Sequence, residues 1–205
     1  MLALLMKEKI WFLYSLLIKI VLKIYGIRVG KEFYIEGTPK IKIRGKGHNI
    51  DIGSYVSIFG KIDLRNRENG KIIIEDKVKF DDNVRIVSAN NGVIKIGESS
   101  SIGPNTIING GGNVIIGKKV LFAKNISINA NDHNFKKSAN IIEQGFSYAD
   151  VIIEDDVWLG ANVCINKGVV IKKGSVVGAN AVVTQDTDPY SINAGVPSKK
   201  LRERE

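Results

Sequence analysis

The chain has 205 residues, of which 44% are hydrophobic, so it is long and apolar enough to form one domain with a substantial core and is not a disordered protein. Its single cysteine, Cys164, excludes an intramolecular disulfide and favours a reducing, cytoplasmic environment. The net charge is +9, and residues 1–50 account for most of it with ten Lys/Arg against three Glu. The body is therefore not basic enough to favour a nucleic-acid groove.

Residues 1–30 are predicted to contain an amphipathic helix. The longest uncharged run, Ile10–Ile18, is too short for a membrane span, and neither the charge order nor a cleavage site fits a signal peptide. On a helical wheel most of the polar residues form one stripe: Glu8, Lys9, Ser15, Lys19 and Lys23. The opposite face is apolar and includes Trp11, Leu13, Leu17, Ile20 and Leu22. Two interpretations stay open: residues 1–25 contact an anionic membrane, or the helix packs on its own body or a sister subunit.

A period of six residues is the strongest signal in the chain. Aliphatic residues recur at Ile153, Leu159, Ile165, Ile171, Val177 and Val183, and a second small or aliphatic series follows four residues after each. Neither an α-helix nor a long flat strand can bury residues at this spacing. A β-solenoid can, because each hexad supplies one short strand and one corner, and three hexads close a coil.

The same phase extends upstream and predicts six coils, which start at residues 52, 74, 96, 116, 153 and 171. The phase is lost after Ile128 and returns at Ile153, which predicts an inserted loop over residues 131–152. Long loops on rigid scaffolds often carry function. We therefore expect a parallel β-helix over residues 31–188 and a C-terminal tail over residues 189–205.

The segment from Ile153 to Arg204 resembles the C-terminal signature of the hexapeptide-repeat acetyltransferases, and most closely the galactoside, maltose and surface-polysaccharide O-acetyltransferases. The resemblance continues as repeat phase back to about Ile52. It implies a left-handed parallel β-helix, a homotrimer, and active sites between adjacent subunits. It also implies acetyl-CoA as cosubstrate, no metal and a carbohydrate acceptor.

The family's general base is a histidine at the base of the extended loop, and Asp132-His133-Asn134-Phe135 matches that position, although Asn134 replaces the usual proline. A neutral imidazole suits this chemistry because a sugar hydroxyl must lose its proton as it attacks a thioester. His133 is therefore the predicted catalytic residue, and Asp132 is expected to orient the ring or bind the sugar. His48, the other histidine, lies before the first predicted coil and is interpreted as structural.

The resemblance also implies binding residues. Trp158 matches a tryptophan that could line the tunnel for substrate and the pantetheine arm, and Asn105 lies two places from the galactoside enzymes' sugar-binding position. The positions that match the coenzyme site are Ala161, Ala179, Thr184, Lys199 and Arg202. The galactoside enzymes' sugar-binding asparagine falls near Gly103 here, and Gln185 replaces a frequent lysine, so the acceptor need not be a simple galactoside or maltose.

The function expected by resemblance is acetyl transfer to a sugar hydroxyl in surface-polysaccharide biosynthesis, at the cytoplasmic face of the inner membrane. An N-acetyltransferase acting on a nucleotide-linked aminosugar is the nearest alternative, although those enzymes often begin with a Gly-x-Gly-x-x-Gly unit that this sequence lacks. A non-catalytic trimeric scaffold is a more remote one. A zinc-dependent carbonic anhydrase would need three histidines, and the chain has two.

Overall fold

The computed structural model describes residues 2–205, with side chains from Lys9 onward. The chain forms one helix, α1 (Leu2–Ile24), followed by a left-handed parallel β-helix of seven coils. Each coil contributes one strand to each of three walls, so the solenoid is a triangular prism. We call these walls A, B and C, in the order in which the chain meets them.

The strands follow the chain coil by coil. The first four coils contain β1 (Arg28–Val29), β2 (Tyr34–Ile35), β3 (Pro39–Ile43); β4 (Ile50–Ile52), β5 (Ser57–Ile58), β6 (Ile62–Asn66); β7 (Lys71–Ile74), β8 (Lys79–Phe80), β9 (Val84–Ser88); and β10 (Val93–Ile96), β11 (Ser101–Ile102), β12 (Ile107–Asn109). The fifth coil contains β13 (Val114–Ile116), β14 (Leu121–Phe122) and β15 (Ser127–Asn129). After β16 (Asn131–His133) and β17 (Phe146–Tyr148), the last two coils contain β18 (Val151–Ile153), β19 (Trp158–Leu159), β20 (Cys164–Ile165); and β21 (Val170–Ile171), β22 (Val176–Val177), β23 (Val182–Val183). The chain ends with β24 (Ser191–Ala194) and β25 (Lys199–Glu203), and short 3-10 helices lie at Gly47–Asn49 and Ile141–Glu143.

The period of six is explained by the core. Every residue of the first series, from Ile153 to Val183, is buried, and so is every member of the series four residues later, from Val157 to Thr187. Successive coils stack these side chains in parallel register, as in the pairing of Ile153 with Ile116 and Ile171. The core is therefore one continuous aliphatic column along the prism axis.

The solenoid has one coil more than the sequence predicts. The additional coil spans Arg28–Ile43 and precedes the predicted start at Ile52. Its signal is present in the sequence, because Val29, Ile35 and Ile41 are six residues apart. The phase then shifts where a 3-10 helix at Gly47–Asn49 lengthens the corner before the second coil, so the first coil is out of phase with those that follow.

Two regions outside the regular coils are ordered parts of the fold. The predicted loop contains a two-stranded antiparallel ribbon, β16 paired with β17, between the fifth and sixth coils. Residues 189–205 are not a free tail: β24 adds to wall B beside β22, and β25 folds back antiparallel to β24. Arg204 fastens this hairpin to the body through an ion pair with Asp156 at 2.9 Å.

Helix α1 caps the open edge of the first coil. The Ser15 hydroxyl accepts a hydrogen bond from the Ile35 backbone N–H at 2.8 Å, and Tyr14 donates to the Gly37 carbonyl at 3.3 Å. Lys19 donates to the carbonyl of Gly30. These bonds satisfy backbone groups at the edge of the first coil, where no preceding coil exists to pair with them.

The orientation of α1 bears on both interpretations above. Ser15 and Lys19, which belong to the polar stripe, face the body, and most of the apolar face is exposed instead. The helix therefore packs on its own body through Ser15, Lys19 and the buried Leu22, and Glu8 lies outside the described side chains. Within the part of the chain that the structure describes, no helix is long and apolar enough to cross a membrane.

Candidate active site

The ribbon of the inserted loop positions the predicted base. In this ribbon His133 lies opposite Phe146, and their ring centroids are 4.2 Å apart at an interplanar angle of 37°. The Phe146 ring stacks in turn on Tyr148, with centroids 6.4 Å apart. Among the described residues the imidazole makes no hydrogen bond, and its side chain is exposed. The ring is thus oriented by aromatic contact while its nitrogens remain open to a ligand.

Lys167, a residue that the sequence analysis did not identify, ties this ribbon to the sixth coil. Its ammonium group lies 3.4 Å from the Asp132 carboxylate and also donates to the Ser147 hydroxyl, so it contacts both strands. Only 24% of the Lys167 side chain is exposed. Lys167 is 35 positions from Asp132 in sequence. The only feature of the sequence that could have indicated it is its position at the corner that follows β20.

Asp132 takes part in this anchoring contact. Its carboxylate pairs with Lys167, and no described hydrogen bond joins it to His133. Asp132 thus anchors the ribbon through Lys167, and because it also lines the cleft described next, its expected contact with the sugar stays a prediction.

His133 opens onto a cleft of about 580 Å³ at the corner where wall C turns into wall A. The ribbon forms one side with His133, Phe146 and Tyr148. Polar residues from four successive coils contribute to the other side: Arg67, Glu68, Asn90, Asn109 and Asn129. This cleft was not predicted from the sequence, because its polar residues come from coils that are about twenty residues apart.

The cleft wall is built largely from amides that are already ordered. Asn109 donates to the Asn129 amide oxygen at 3.0 Å, and Asn129 donates to Ser127 at 3.2 Å. The Glu68 carboxylate accepts from the Asn90 backbone N–H at 2.8 Å. Arg67 makes no ion pair among the described residues. Such a surface presents fixed donors and acceptors beside an imidazole, which suits a ligand with several hydroxyl groups.

The residues expected at the coenzyme site lie on a different part of the prism. Trp158 is half exposed on the outer face of wall B, between Leu121 and Val176 of the adjacent coils. Ala161 and Ala179 follow at the corner between walls B and C, one coil apart, and Thr184 follows β23 at the next corner. The corner is tightly packed, since a side chain at Gly160 would come within 2.6 Å of the Ala179 backbone nitrogen.

Lys199 and Arg202 continue wall B at the end of the solenoid. Both belong to β25, where Lys199 pairs with Ala194 and Arg202 with Ile192. Their neighbour Lys200 is engaged with the carboxylates of Glu203 and Asp188, which raise the pKa of its ammonium group. Lys199 has no described acidic partner, and Arg202 only a 3.5 Å contact with Glu205.

Asn105 is placed apart from His133 within the chain. It occupies a corner between walls B and C with φ of 57°, a left-handed conformation that asparagine tolerates. Its amide accepts from Asn83 at 2.8 Å and donates to Asn125 at 3.1 Å, in a ladder that continues to Asn162 and Asn180. This ladder stabilises the corner, and sugar binding by Asn105 stays a prediction.

Two other chemistries find little support among the described residues. No group of three or more His, Cys, Asp or Glu side chains there could hold a metal ion. Cys164 is half-buried on wall C, and burial raises the pKa of its thiol, which disfavours a thiolate nucleophile.

Comparison with known proteins agrees with this fold. A family model described as "Hexapeptide repeat of succinyl-transferase" matches residues 150–185. The galactoside O-acetyltransferase of Escherichia coli K12 is 30% identical over 187 residues, which cover 86% of this chain and 87% of that protein. A probable acetyltransferase of Mycobacterium tuberculosis, Rv3034c, is 30% identical over 82% of this chain and 53% of its own length.

Solved structures extend the comparison. The polySia-specific acetyltransferase NeuO is 25% identical with a TM-score of 0.54, over 86% of this chain and 79% of its own. The N-acyltransferase AntD of Bacillus cereus, solved with dTDP and 3-hydroxybutyryl-CoA, is 20% identical with a TM-score of 0.59 over 87% and 83%. The latter likeness concerns the fold alone. Because the match to the galactoside enzyme spans nearly the whole of both chains, this protein is a member of the hexapeptide-repeat acetyltransferase family and is an acyltransferase.

Proposed function

We propose that the protein transfers an acetyl group from acetyl-CoA to a hydroxyl group of a sugar, with His133 as the general base. The observation that carries this proposal is the position of His133, held against Phe146 at the end of a cleft lined by amide side chains. The likeness to the galactoside enzyme supports a carbohydrate acceptor and the acetyl donor.

In the proposed reaction a neutral imidazole nitrogen of His133 removes the proton of the acceptor hydroxyl. The hydroxyl oxygen forms a bond to the thioester carbon, and the carbon–sulfur bond breaks. The coenzyme leaves as a thiolate, and the proton held by the imidazolium neutralises it as free thiol. The products are the acetyl ester and coenzyme A, so atoms and charge balance without a metal.

The coenzyme is proposed to lie along wall B of the last coils. Trp158 supplies exposed apolar surface for the pantetheine arm, and the small side chains of Ala161 and Ala179 allow close approach to the backbone. Lys199 and Arg202 lie at the end of the same wall, where positive charge favours the coenzyme phosphates.

Assembly as a homotrimer completes this arrangement. His133 and the proposed coenzyme wall occupy different parts of one chain. In this proposal, one chain alone therefore does not bring the two substrates into contact. A cyclic trimer would place the cleft of one subunit beside wall B of its neighbour, and the site would form at the interface. The proposed setting is surface-polysaccharide assembly in the cytoplasm, at the inner membrane face.

The test is a screen of glycans and nucleotide sugars with labelled acetyl-CoA, followed by product analysis. The proposal predicts an ester that is released by mild base. A base-stable amide on an aminosugar would contradict the hydroxyl acceptor and support N-acetyl transfer. If the enzyme acetylates none of the carbohydrates, whether or not it binds acetyl-CoA, the proposed function is contradicted.

A further inference from the structure

The outer face of α1 is an exposed apolar surface at one end of the solenoid. Leu13 and Leu17 are each 62% exposed and Ile24 is 78% exposed, and Ile20 lies between them on the same face. Phe12 and Leu16 flank this row and are also more than half exposed. We call these six residues the cap face. Contiguous apolar side chains on this scale mark an interaction surface.

The cap face is fixed in its outward orientation. The opposite side of α1 is bound to the first coil by Ser15, which is 1% exposed, and by the hydrogen bonds of Tyr14 and Lys19. Leu22 and Ile27 anchor the end of the helix in the core. Rotating the helix to bury the cap face would break these bonds and leave edge groups of the first coil unpaired. The chain's own body therefore cannot cover the cap face, and only an external partner can.

Cations without a described ion-pair partner lie beside this face. Lys42 and Arg44 line a groove of about 820 Å³ together with Val21 and Tyr25 at the side of α1. Lys9 and Lys23 are exposed on the helix itself, and none of these four cations forms an ion pair within the described side chains. Across residues 9–50 there are nine Lys/Arg and two Glu. The surface thus combines exposed leucine and isoleucine side chains with neighbouring cations.

We propose that the cap face docks on an anionic lipid surface, with Leu13, Leu17, Ile20 and Ile24 entering the interfacial region and the surrounding cations contacting lipid phosphates. This geometry requires no span: the helix lies in the plane of the interface. Helix α1 differs from an ordinary surface helix because Ser15 and Lys19 on its polar side bond to the first coil rather than to water.

Charge favours a lipid over a second copy of the chain. A two-fold dimer through the cap face would bring each cluster of cations against its own copy, and like charges at close range oppose such a contact. An anionic bilayer satisfies both the apolar row and the cations. In the proposed trimer, cyclic symmetry would present three cap faces at the same end, which strengthens binding to one membrane.

The experiment is sedimentation of the full chain with phosphatidylglycerol-containing vesicles and with pure phosphatidylcholine vesicles. We expect binding to the anionic vesicles that weakens as salt is raised. A variant with Leu13→Ser, Leu17→Ser and Ile20→Ser should bind about tenfold more weakly or worse. The matched control, Ile141→Ser with Ile142→Ser, removes two exposed apolar side chains of the inserted loop and should bind normally.

A second variant guards against misfolding of the first. Lys23→Glu, Lys42→Glu and Arg44→Glu change only surface charges, and this variant should lose binding to anionic vesicles while keeping its melting temperature. Absence of binding by the unaltered chain would overturn the proposal, and so would binding of the serine and glutamate variants that is as tight as that of the unaltered chain. The proposal would also be overturned if light scattering showed that trimers associate in pairs and that the serine substitutions abolish this association, because a second copy would then occupy the cap face. None of these readings depends on acetyl transfer.

Discussion

The ring of Phe146 lies against the imidazole of His133, with centroids 4.2 Å apart across the ribbon of the inserted loop. Among the described residues this is the only ring contact that His133 makes, so Phe146 is the neighbour that holds the proposed base in position. The interaction gives the aromatic residue a positioning role in a site whose chemistry belongs to the histidine.

Replacing Phe146 with alanine is expected to lower kcat by about tenfold to a hundredfold, because a base that loses its orientation samples unproductive geometries. The measurement is steady-state acetyl transfer with the identified acceptor. Phe135→Ala is the matched control, since Phe135 belongs to the same loop but is 76% exposed and makes no described ring contact. Equal loss in both variants would contradict a specific role for Phe146.

Lys167 is expected to anchor the ribbon. Lys167→Met keeps the length of the side chain but removes the ion pair with Asp132 and the hydrogen bond to Ser147. We expect kcat to fall about tenfold, with faster proteolysis of the loop and an unchanged KM for acetyl-CoA. Lys167→Arg should restore most of the activity, and Lys136→Met, an exposed loop control, should have no effect. Unchanged proteolysis in Lys167→Met would contradict the anchoring role.

The two cations of the C-terminal hairpin give a prediction about the donor. A variant with Lys199→Ser and Arg202→Ser should raise the KM for acetyl-CoA about tenfold and leave kcat nearly unchanged, because charge-assisted contacts to phosphate are removed from both ground and transition states. Acetyl-pantetheine, which lacks the nucleotide, should not distinguish the variant from the unaltered enzyme. Lys31→Ser with Lys71→Ser is the control, because it removes two positive charges from early coils, away from the C-terminal hairpin. An equal rise in KM there would show that the overall charge of the protein, and not these two side chains, determines the KM.

Ser15 makes a prediction about stability. Ser15→Ala leaves the buried Ile35 N–H without its side-chain partner, and we expect a loss of about 1–3 kcal/mol in the free energy of unfolding. Denaturant unfolding measures it. Ser57→Ala, at a half-buried position with no described side-chain hydrogen bond, should change the free energy by less than about 0.5 kcal/mol. A neutral Ser15→Ala would show that α1 does not cap the first coil in solution.

The sequence predicts the regular part of the fold because one inward residue per hexad is enough to specify a coil. Ile153, Leu159 and Ile165 are buried as expected, and the loss of phase after Ile128 marks the inserted loop. The first coil was missed because the corner before Ile50 has an irregular length. Periodicity describes the repeat and not the departures from it.

The candidate site is less predictable from the sequence. His133 was identified by resemblance, but Lys167 and the amides of Asn109 and Asn129 approach it only through stacking of distant coils. The orientation of α1 was also unpredictable from its helical wheel. A wheel shows two faces of different polarity, but it cannot show that edge groups of the first coil would bind Ser15 and Lys19.

The most direct test of the account is the rate of acetyl transfer by His133→Ala with the identified acceptor. Loss of the general base should lower kcat by roughly two to four decades, while the affinity for acetyl-CoA remains nearly unchanged. His48→Ala removes the exposed histidine of the 3-10 helix at Gly47–Asn49, which is not among the residues that line the cleft, and should retain full activity. A His133→Ala enzyme that keeps near-normal turnover would contradict the assignment of His133 as the base and would favour an amine acceptor that needs none.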